Sequence, residues 1–353
     1  MCLYPRLIRN RKYTKNKKNG GVIPPINDKR VLMVPVGCGK CIECKKQKSR
    51  NWEVRLQEDI RVNKNAKFIT YTFSEHELQK LDNEIKGLSG YDRDNEICKI
   101  AIRKYTERWR KKYGKTLRHW LVTELGHQNT ERVHMHGLIW LEKKPEDETK
   151  EYEIYSSEFK GMKLTWKEYN KEQKKDIGEK WGYGKIWIGG YVSAKTINYI
   201  VKYVNKVDAS HKTYNSKIFT SQGIGKEYVN RRDSKRNKYK KEKTIETYKT
   251  REGVELALPV YYRNKIYNED ERERLWLEKL DKEERYVCGV KVDISQGEDE
   301  YYKLLEMMRQ KNKRLGYGDD AKNWELRKYE NERRNLKKLE RLEKLYKIKK
   351  LSA

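Results

Sequence analysis

The sequence predicts an α+β fold: an antiparallel sheet with flanking helices, a basic cysteine-containing N-terminal arm and a basic, mostly helical C-terminal region. Three observations carry this reading. Short β-branched and aromatic runs of strand length alternate with segments of helical period. Two of the strand-like runs are joined by a brief polar turn, which makes them an antiparallel pair. The chain also holds 26 Tyr and 9 Trp among 353 residues, an aromatic content foreign to disordered chains even though 39% of the residues are charged.

The elements follow in order. The first fifty residues contain fourteen Lys or Arg and two acids, Asp28 and Glu43. Gly20-Gly21 and Pro24-Pro25 punctuate them as a loop-rich arm. A helix is expected from about Gln47 to Arg61, and a strand over Phe68–Phe73. Ser74 with Glu77 has the spacing of a helix cap. Ile97, Ala101, Tyr105 and Trp109 recur every four residues and define a helix that stops at Gly114. His119–Glu124 and Val133–Trp140 are the antiparallel pair. A polar helix spans about Thr165–Lys180. A short strand, Lys185–Ile188, is broken by Gly189-Gly190, and Ser193 caps a helix running to Lys206.

Past Ser210 the composition turns strongly basic: Lys226–Arg251 holds eleven basic and four acidic residues. Leu258–Tyr262 reads as an extended piece, and a helix is expected around Trp276. From about Asp320 the chain reads as one charged helix, with a thin apolar stripe of Leu336, Leu339, Leu342, Leu345 and Ile348. No repeat of fold-defining length is present. The segments divide as 1–60, arm, cysteine cluster and helix; 61–215, the sheet domain; and 216–353, the basic C-terminal region.

Charge narrows the function. With 83 Lys and Arg against 53 Asp and Glu the formal charge is +30, the pI is about 9.6 and the mean hydropathy −1.13. A charge of this sign and size calls for a polyanionic partner, above all nucleic acid. No apolar run is long enough to span a bilayer. Met1–Arg6 lacks the apolar core of a secretory leader, so a reducing compartment is expected and disulfides are not.

The chemistry concentrates in two places. In Val133–Trp140, His134 and His136 lie on one face of a strand, because side chains alternate with period two. Two imidazoles so placed can bind one divalent metal. Glu124, on the neighbouring strand, adds a carboxylate. Two nitrogens, one carboxylate and open positions suit Mg2+ or Mn2+ bound to a phosphate oxygen. The plain alternative is a pair of ordinary histidines.

In the helix ending at Lys206, Ile197, Ile200, Val201 and Val204 form the core-facing stripe. Tyr199 and Tyr203 stand one turn apart on the adjoining stripe with Lys206, and Lys202 reaches the same side. A tyrosine oxygen can attack a phosphodiester and become covalently joined to it. The plain alternative here is two surface tyrosines in a tyrosine-rich chain.

Together, His134-Met135-His136 and Tyr199-Ile200-Val201-Lys202-Tyr203 resemble the HUH endonuclease superfamily, and Phe68–Phe73 looks like its first structural strand. Met1–Pro5, Gly37–Cys44, Tyr199–Lys206 and Pro259–Lys265 narrow the likeness to replication initiation proteins of the Microviridae, in particular their gokushovirus branch. The resemblance covers residues 1–280. It implies a ferredoxin- or RRM-like HUH sheet in residues 61–215 and a rolling-circle initiator that nicks phage origin DNA and rejoins the displaced strand.

It implies His134, His136 and Glu124 as metal ligands, with His127 or Glu131 as substitutes for Glu124. Tyr199 and Tyr203 are implied as alternating nucleophiles, in an order left open, with Lys202 assisting. A host helicase and DNA polymerase would be partners, since no Walker-type loop is present, and the host bacterial cytoplasm the location. A non-enzymatic DNA-binding or packaging protein, or a transposase or relaxase of the same superfamily, remain rival readings.

Cys38, Cys41 and Cys44, with Cys2, have the spacing of a structural Zn2+ site; an iron–sulfur cluster uses a similar spacing, and free thiols are the third option. Lys206, Arg231, Arg232, Lys235 and Arg236 are candidate DNA contacts. Gly223–Lys226 is either a phosphate-binding loop or a turn.

Overall fold

A computed structural model of the chain describes residues 2–127, 130–143, 146–147, 150–155, 161–208 and 210–318, together with Arg334 and Ile348. The chain divides into two compact units. One comprises Met1–Arg55, Val207–Thr213 and Lys226–Trp324; the other comprises Leu56–Lys206, Tyr214–Gly225 and Glu325–Ala353.

The second unit is built on a five-stranded sheet. Its strands are β1 (Ala66–Tyr71), β2 (Arg118–Leu125), β3 (Val133–Trp140), β4 (Ile186–Tyr191) and β5 (Ile218–Thr220). They lie in the order β4-β1-β3-β2-β5, every neighbouring pair antiparallel. Four helices flank it: α1 (Glu75–Asn83), α2 (Gly90–Tyr113), α3 (Trp166–Glu179) and α4 (Ala194–Asn205). This is the α+β sheet architecture that the alternating patterns predict.

Strand parity separates the two faces. Ile69, Tyr71, Leu121, Leu125, Met135 and Ile139 face one way, into a core shared with Ile97, Ala101, Tyr105 and Trp109 of α2 and with Trp181. The aromatic residues do most of the filling: Tyr71 packs on Trp181 at 4.4 Å and on Tyr105 at 5.5 Å between ring centroids. Gly114 closes α2 in the left-handed conformation, φ 68°, which glycine adopts without steric cost.

The opposite face carries Trp120, Val122 and Leu138, all buried, and α4 packs against β2. The four buried residues of α4 are Ile197, Ile200, Val201 and Val204, the set that its 3.6-residue period predicts, each worth about 2 kcal/mol of burial. Ser193 fixes where that helix starts: its side chain accepts from the Thr196 N–H in a reciprocal cap. At the centre of β3, Gly137 lets two backbones meet, since a Cβ there would sit 2.0 Å from the Trp120 carbonyl oxygen.

The expectations fail at short or composite elements. β4 is not broken at Gly189-Gly190 but continues to Tyr191, with a register shift opposite Lys67 and Ile69. Glycines accommodate such a bulge instead of ending the strand. Val260–Ile266 is a helix, not an extended piece. Pro259 precedes it with φ −52°, and Tyr262 is buried with Tyr228 and Tyr248, so packing overrides the β preference of Val and Tyr. β5 has three residues, too few to show a period.

The first unit holds antiparallel pairs Arg6–Arg9 with Met33–Val36, Thr247–Lys249 with Glu255–Ala257, and Glu284–Val287 with Val290–Asp293. Its helices include Val260–Ile266, Glu269–Asp281 and Asp299–Arg314. The basic arm is anchored: Lys12 reaches Asp270 and Glu273 at 2.9 and 3.0 Å, and the Tyr13 hydroxyl donates to Glu273. The helix expected from Gln47 begins earlier and spans Ile42–Val62. The C-terminal leucine stripe lies outside the described residues except for Ile348, which is exposed. Among the described residues, no helix is long and apolar enough to cross a membrane.

Candidate active site

The sheet register places the predicted acid and imidazoles together. Glu124 of β2 is directly opposite His134 of β3, and Thr70 of β1 is opposite His136. One carboxylate oxygen, Glu124 Oε2, lies 3.0 Å from His136 Nε2 and 3.3 Å from His134 Nε2. The three ligand atoms fall within 4.8 Å of one another. Both rings are partly buried, and their planes are perpendicular with centroids 4.8 Å apart.

Hydrogen bonds behind the rings set the donor atoms. His134 Nδ1 lies 3.3 Å from the Arg132 carbonyl. A carbonyl only accepts, so Nδ1 holds the proton and Nε2 keeps its lone pair for the site. That carbonyl also accepts the Gly126 N–H at 3.0 Å, which fixes its position. His136 Nδ1 is 2.9 Å from the Thr70 hydroxyl. Such outer partners orient metal-binding imidazoles.

The electrostatics favour a cation. Burial alone would raise the Glu124 carboxyl, but hydrogen bonds to His134, His136 and Lys206 outweigh it and hold the group well below the usual carboxylate range. Burial lowers His136 from its ordinary value, against the raising effect of Glu124. A buried anion beside two ring nitrogens is the donor set of a divalent-cation site, and these residues fit one.

α4 brings the tyrosines to the same place. The Tyr203 ring stacks on His136 with centroids 4.6 Å apart and planes 15° from parallel. Its hydroxyl donates to the Tyr199 hydroxyl at 2.6 Å. Burial, and then the bond to Tyr199, push Tyr203 above the ordinary phenol value. Tyr199 is 51% exposed and its ring lies edge-on to Phe68 at 6.3 Å. Phe68 also meets exposed Trp187 of β4 at 5.4 Å. The phenols therefore do not point away from the imidazoles; one covers them and hands its proton bond to the other.

The other named residues sort as follows. Lys206, grouped by sequence with DNA contacts, puts its Nζ 3.0 Å from Glu124 Oε1 and 3.1 Å from His127 Nε2. Lys202 is exposed on the turn between the tyrosines. His127 stands 3.9 Å from Glu124 Oε1; Glu124 is the acid that lies between the two histidines, and neither His127 nor Glu131 takes that place. Gly223–Lys226 is a turn whose Gly225 N–H is given to Asp59 at 2.7 Å.

In the other unit, Arg231 pairs with Asp233 and Arg236 with Glu255, while Arg232 and Lys235 are exposed. Cys2, Cys38, Cys41 and Cys44 converge there into a second group of potential ligands. Sequence reasoning missed Thr70, the Arg132 carbonyl and Trp187 as parts of the site. Thr70 shares the parity of Phe68, but which histidine it meets depends on a register invisible in one chain.

Residues 66–208 match the family model described as replication-associated protein ORF2. The matched stretch contains Thr70, Glu124, His134, His136, Tyr199, Tyr203 and Lys206. No curated protein and no solved structure matches the chain.

Proposed function

We propose that this protein initiates rolling-circle replication by nicking one strand of origin DNA with a tyrosine, holding the cut end covalently and later rejoining the displaced strand into a circle. The observation that carries this reading is the Tyr203 ring stacked on His136, with the two phenol oxygens 2.6 Å apart beside the Glu124–His134–His136 group. The family match over residues 66–208 supports it.

His134 Nε2, His136 Nε2 and Glu124 Oε2 would hold Mg2+ or Mn2+, which when bound supplies charge to polarise the scissile phosphate. The chain's own groups do the rest. A phenol oxygen attacks phosphorus, its proton leaves, and the 3′ oxygen departs as a free hydroxyl that primes synthesis. One phosphoester bond forms as one breaks, so the 5′-phosphotyrosine conserves the bond for ligation. The second tyrosine cuts the regenerated origin, and the released 3′ hydroxyl attacks the first phosphotyrosine to close the circle. Lys202 offsets phosphate charge between the tyrosines, and Lys206 is held at the acid. Phe68 and Trp187 offer faces on which unpaired bases stack.

The substrate is origin DNA of a gokushovirus-like phage, single-stranded or locally unpaired, in the host bacterial cytoplasm. A host helicase and polymerase unwind and extend. The test is a 3′-end-labelled origin oligonucleotide incubated with the full chain and Mn2+. A label that stays on the protein through denaturation is expected. It should be lost in the Tyr199→Phe/Tyr203→Phe double variant and in His134→Ala or His136→Ala, with DNA binding retained. Tight binding without an adduct would return the protein to the DNA-binding and packaging class.

A further inference from the structure

The cysteines outside the proposed catalytic site carry the strongest independent signal. We propose that Cys2, Cys38, Cys41 and Cys44 bind one tetrahedral Zn2+ that has no catalytic role and ties the N-terminal segment to the hairpin and helix between Glu284 and Arg314.

The spacing supports a single ion. Cys2 and Cys41 Sγ atoms are 3.9 Å apart, and Cys38 and Cys44 Sγ atoms 4.0 Å; all four sulfurs lie within 4.8 Å of one another. A tetrahedron with zinc–sulfur bonds of about 2.3 Å has edges of about 3.8 Å. Disulfides would bring pairs to about 2.05 Å. An iron–sulfur cluster puts several atoms between its ligand sulfurs and needs a wider cage.

The backbone is shaped for thiolates. Cys2 Sγ accepts the N–H groups of Tyr4 at 3.3 Å and Cys38 at 3.2 Å. Cys38 Sγ accepts those of Lys40 at 3.4 Å and Cys41 at 3.3 Å. Donors aimed at sulfur stabilise negative charge there. The turn that makes this possible has Gly39 at φ +76°, and a side chain at Gly37 would press against Cys44, its Cβ 3.0 Å from that sulfur.

The surroundings make the site closed. Leu3, Cys41, Val287 and Leu305 form a small buried cluster, with Cys2, Cys38, Cys44 and Met308 packed against it. Arg309 Nε also donates to the Leu3 carbonyl at 3.0 Å. Four thiolates fill the coordination sphere and leave no position for substrate. The unit around them consists of two-stranded pairs and short helices, an architecture whose small cores gain from a metal staple.

Metal content of the full chain, purified without chelator, tests this. About one zinc per chain is expected, retained in His136→Ala and Cys288→Ser but lost in Cys38→Ser and Cys41→Ser. Because those last two can fail to fold, the wild-type chain is also stripped, refolded with Co2+ and examined by absorption. The bands of tetrahedral thiolate cobalt should appear and vanish when zinc is added. Iron in place of zinc, zinc that survives Cys38→Ser, or a zinc-free chain with four titratable thiols and a chelator-insensitive melting temperature would each overturn the proposal.

Discussion

The two phenols of α4 are chemically unequal. Tyr203 is half-buried on His136 and donates its proton bond; Tyr199 accepts that bond and is 51% exposed. A donor aimed at an oxygen stabilises negative charge as it develops there. Tyr199 should therefore make the first cut. Tyr199→Phe should abolish the initial adduct, whereas Tyr203→Phe should slow it by about ten- to a hundredfold, the worth of one hydrogen bond to a charged group, and block the second cut. Kinetics of first and second cleavage on a tandem-origin substrate read both effects; equal rates in the two single variants would contradict the assignment.

At this scale the sequence was informative wherever side-chain parity sufficed. His134 and His136 share a face because two residues separate them, and Tyr199 and Tyr203 share a stripe because four do. Glu124 could be paired with them only because the intervening turn is short. Thr70 and Trp187 sit on strands whose alignment comes from distant packing, and no local pattern marks them.

Among the elements, β3 depends on a missing side chain. A Cβ at Gly137 would stand 2.0 Å from the Trp120 carbonyl and 2.8 Å from Leu121 Cα, so backbone, not a flexible side chain, would have to move. Gly137→Ala should cost about 3 kcal/mol, read as a lowered denaturation midpoint, and should disturb the Glu124–His134 register next to it.

β2 also carries a buried base. Burial lowers His119 from its ordinary value, against the raising effect of its bond to the Leu117 carbonyl at 2.9 Å. An unfolded imidazole titrates near about 6.5. Below that pH the unfolded chain takes up the proton first, so stability falls as pH drops, until the folded imidazole also titrates. His119→Gln should flatten the loss of melting temperature over that acid window relative to wild type; an unchanged slope would remove His119 from the account.

Long periodic elements and their caps were legible: α2 ends at Gly114, and α4 starts after Ser193. Short ones were not. Two glycines in β4 look like a break until the neighbouring strand shows a bulge, and Val260–Tyr262 looks like a strand until Pro259 and the tyrosine cluster turn it into a helix.

For the molecule as a whole, the charge of +30 sets affinity more than selectivity, because phosphates are alike along any strand. Each phosphate neutralised on a single strand contributes about 0.7 to the slope of log K against log salt. The basic residues of the Lys226–Trp324 segment are not equivalent donors to that slope. Arg231 and Arg236 already face Asp233 and Glu255, while Arg232 and Lys235 stand exposed. Replacing Arg232 and Lys235 together by Ala should lower the slope by about 1.4. Replacing Arg231 and Arg236 should lower it by less, because each loss also releases an acid that repelled the strand. Adduct formation at low salt should persist in both pairs, since neither contributes to the Glu124–His134–His136 group. Titrations of a labelled single strand over a range of salt concentrations measure the slopes, and equal slopes in all three proteins would place the DNA backbone elsewhere on the chain.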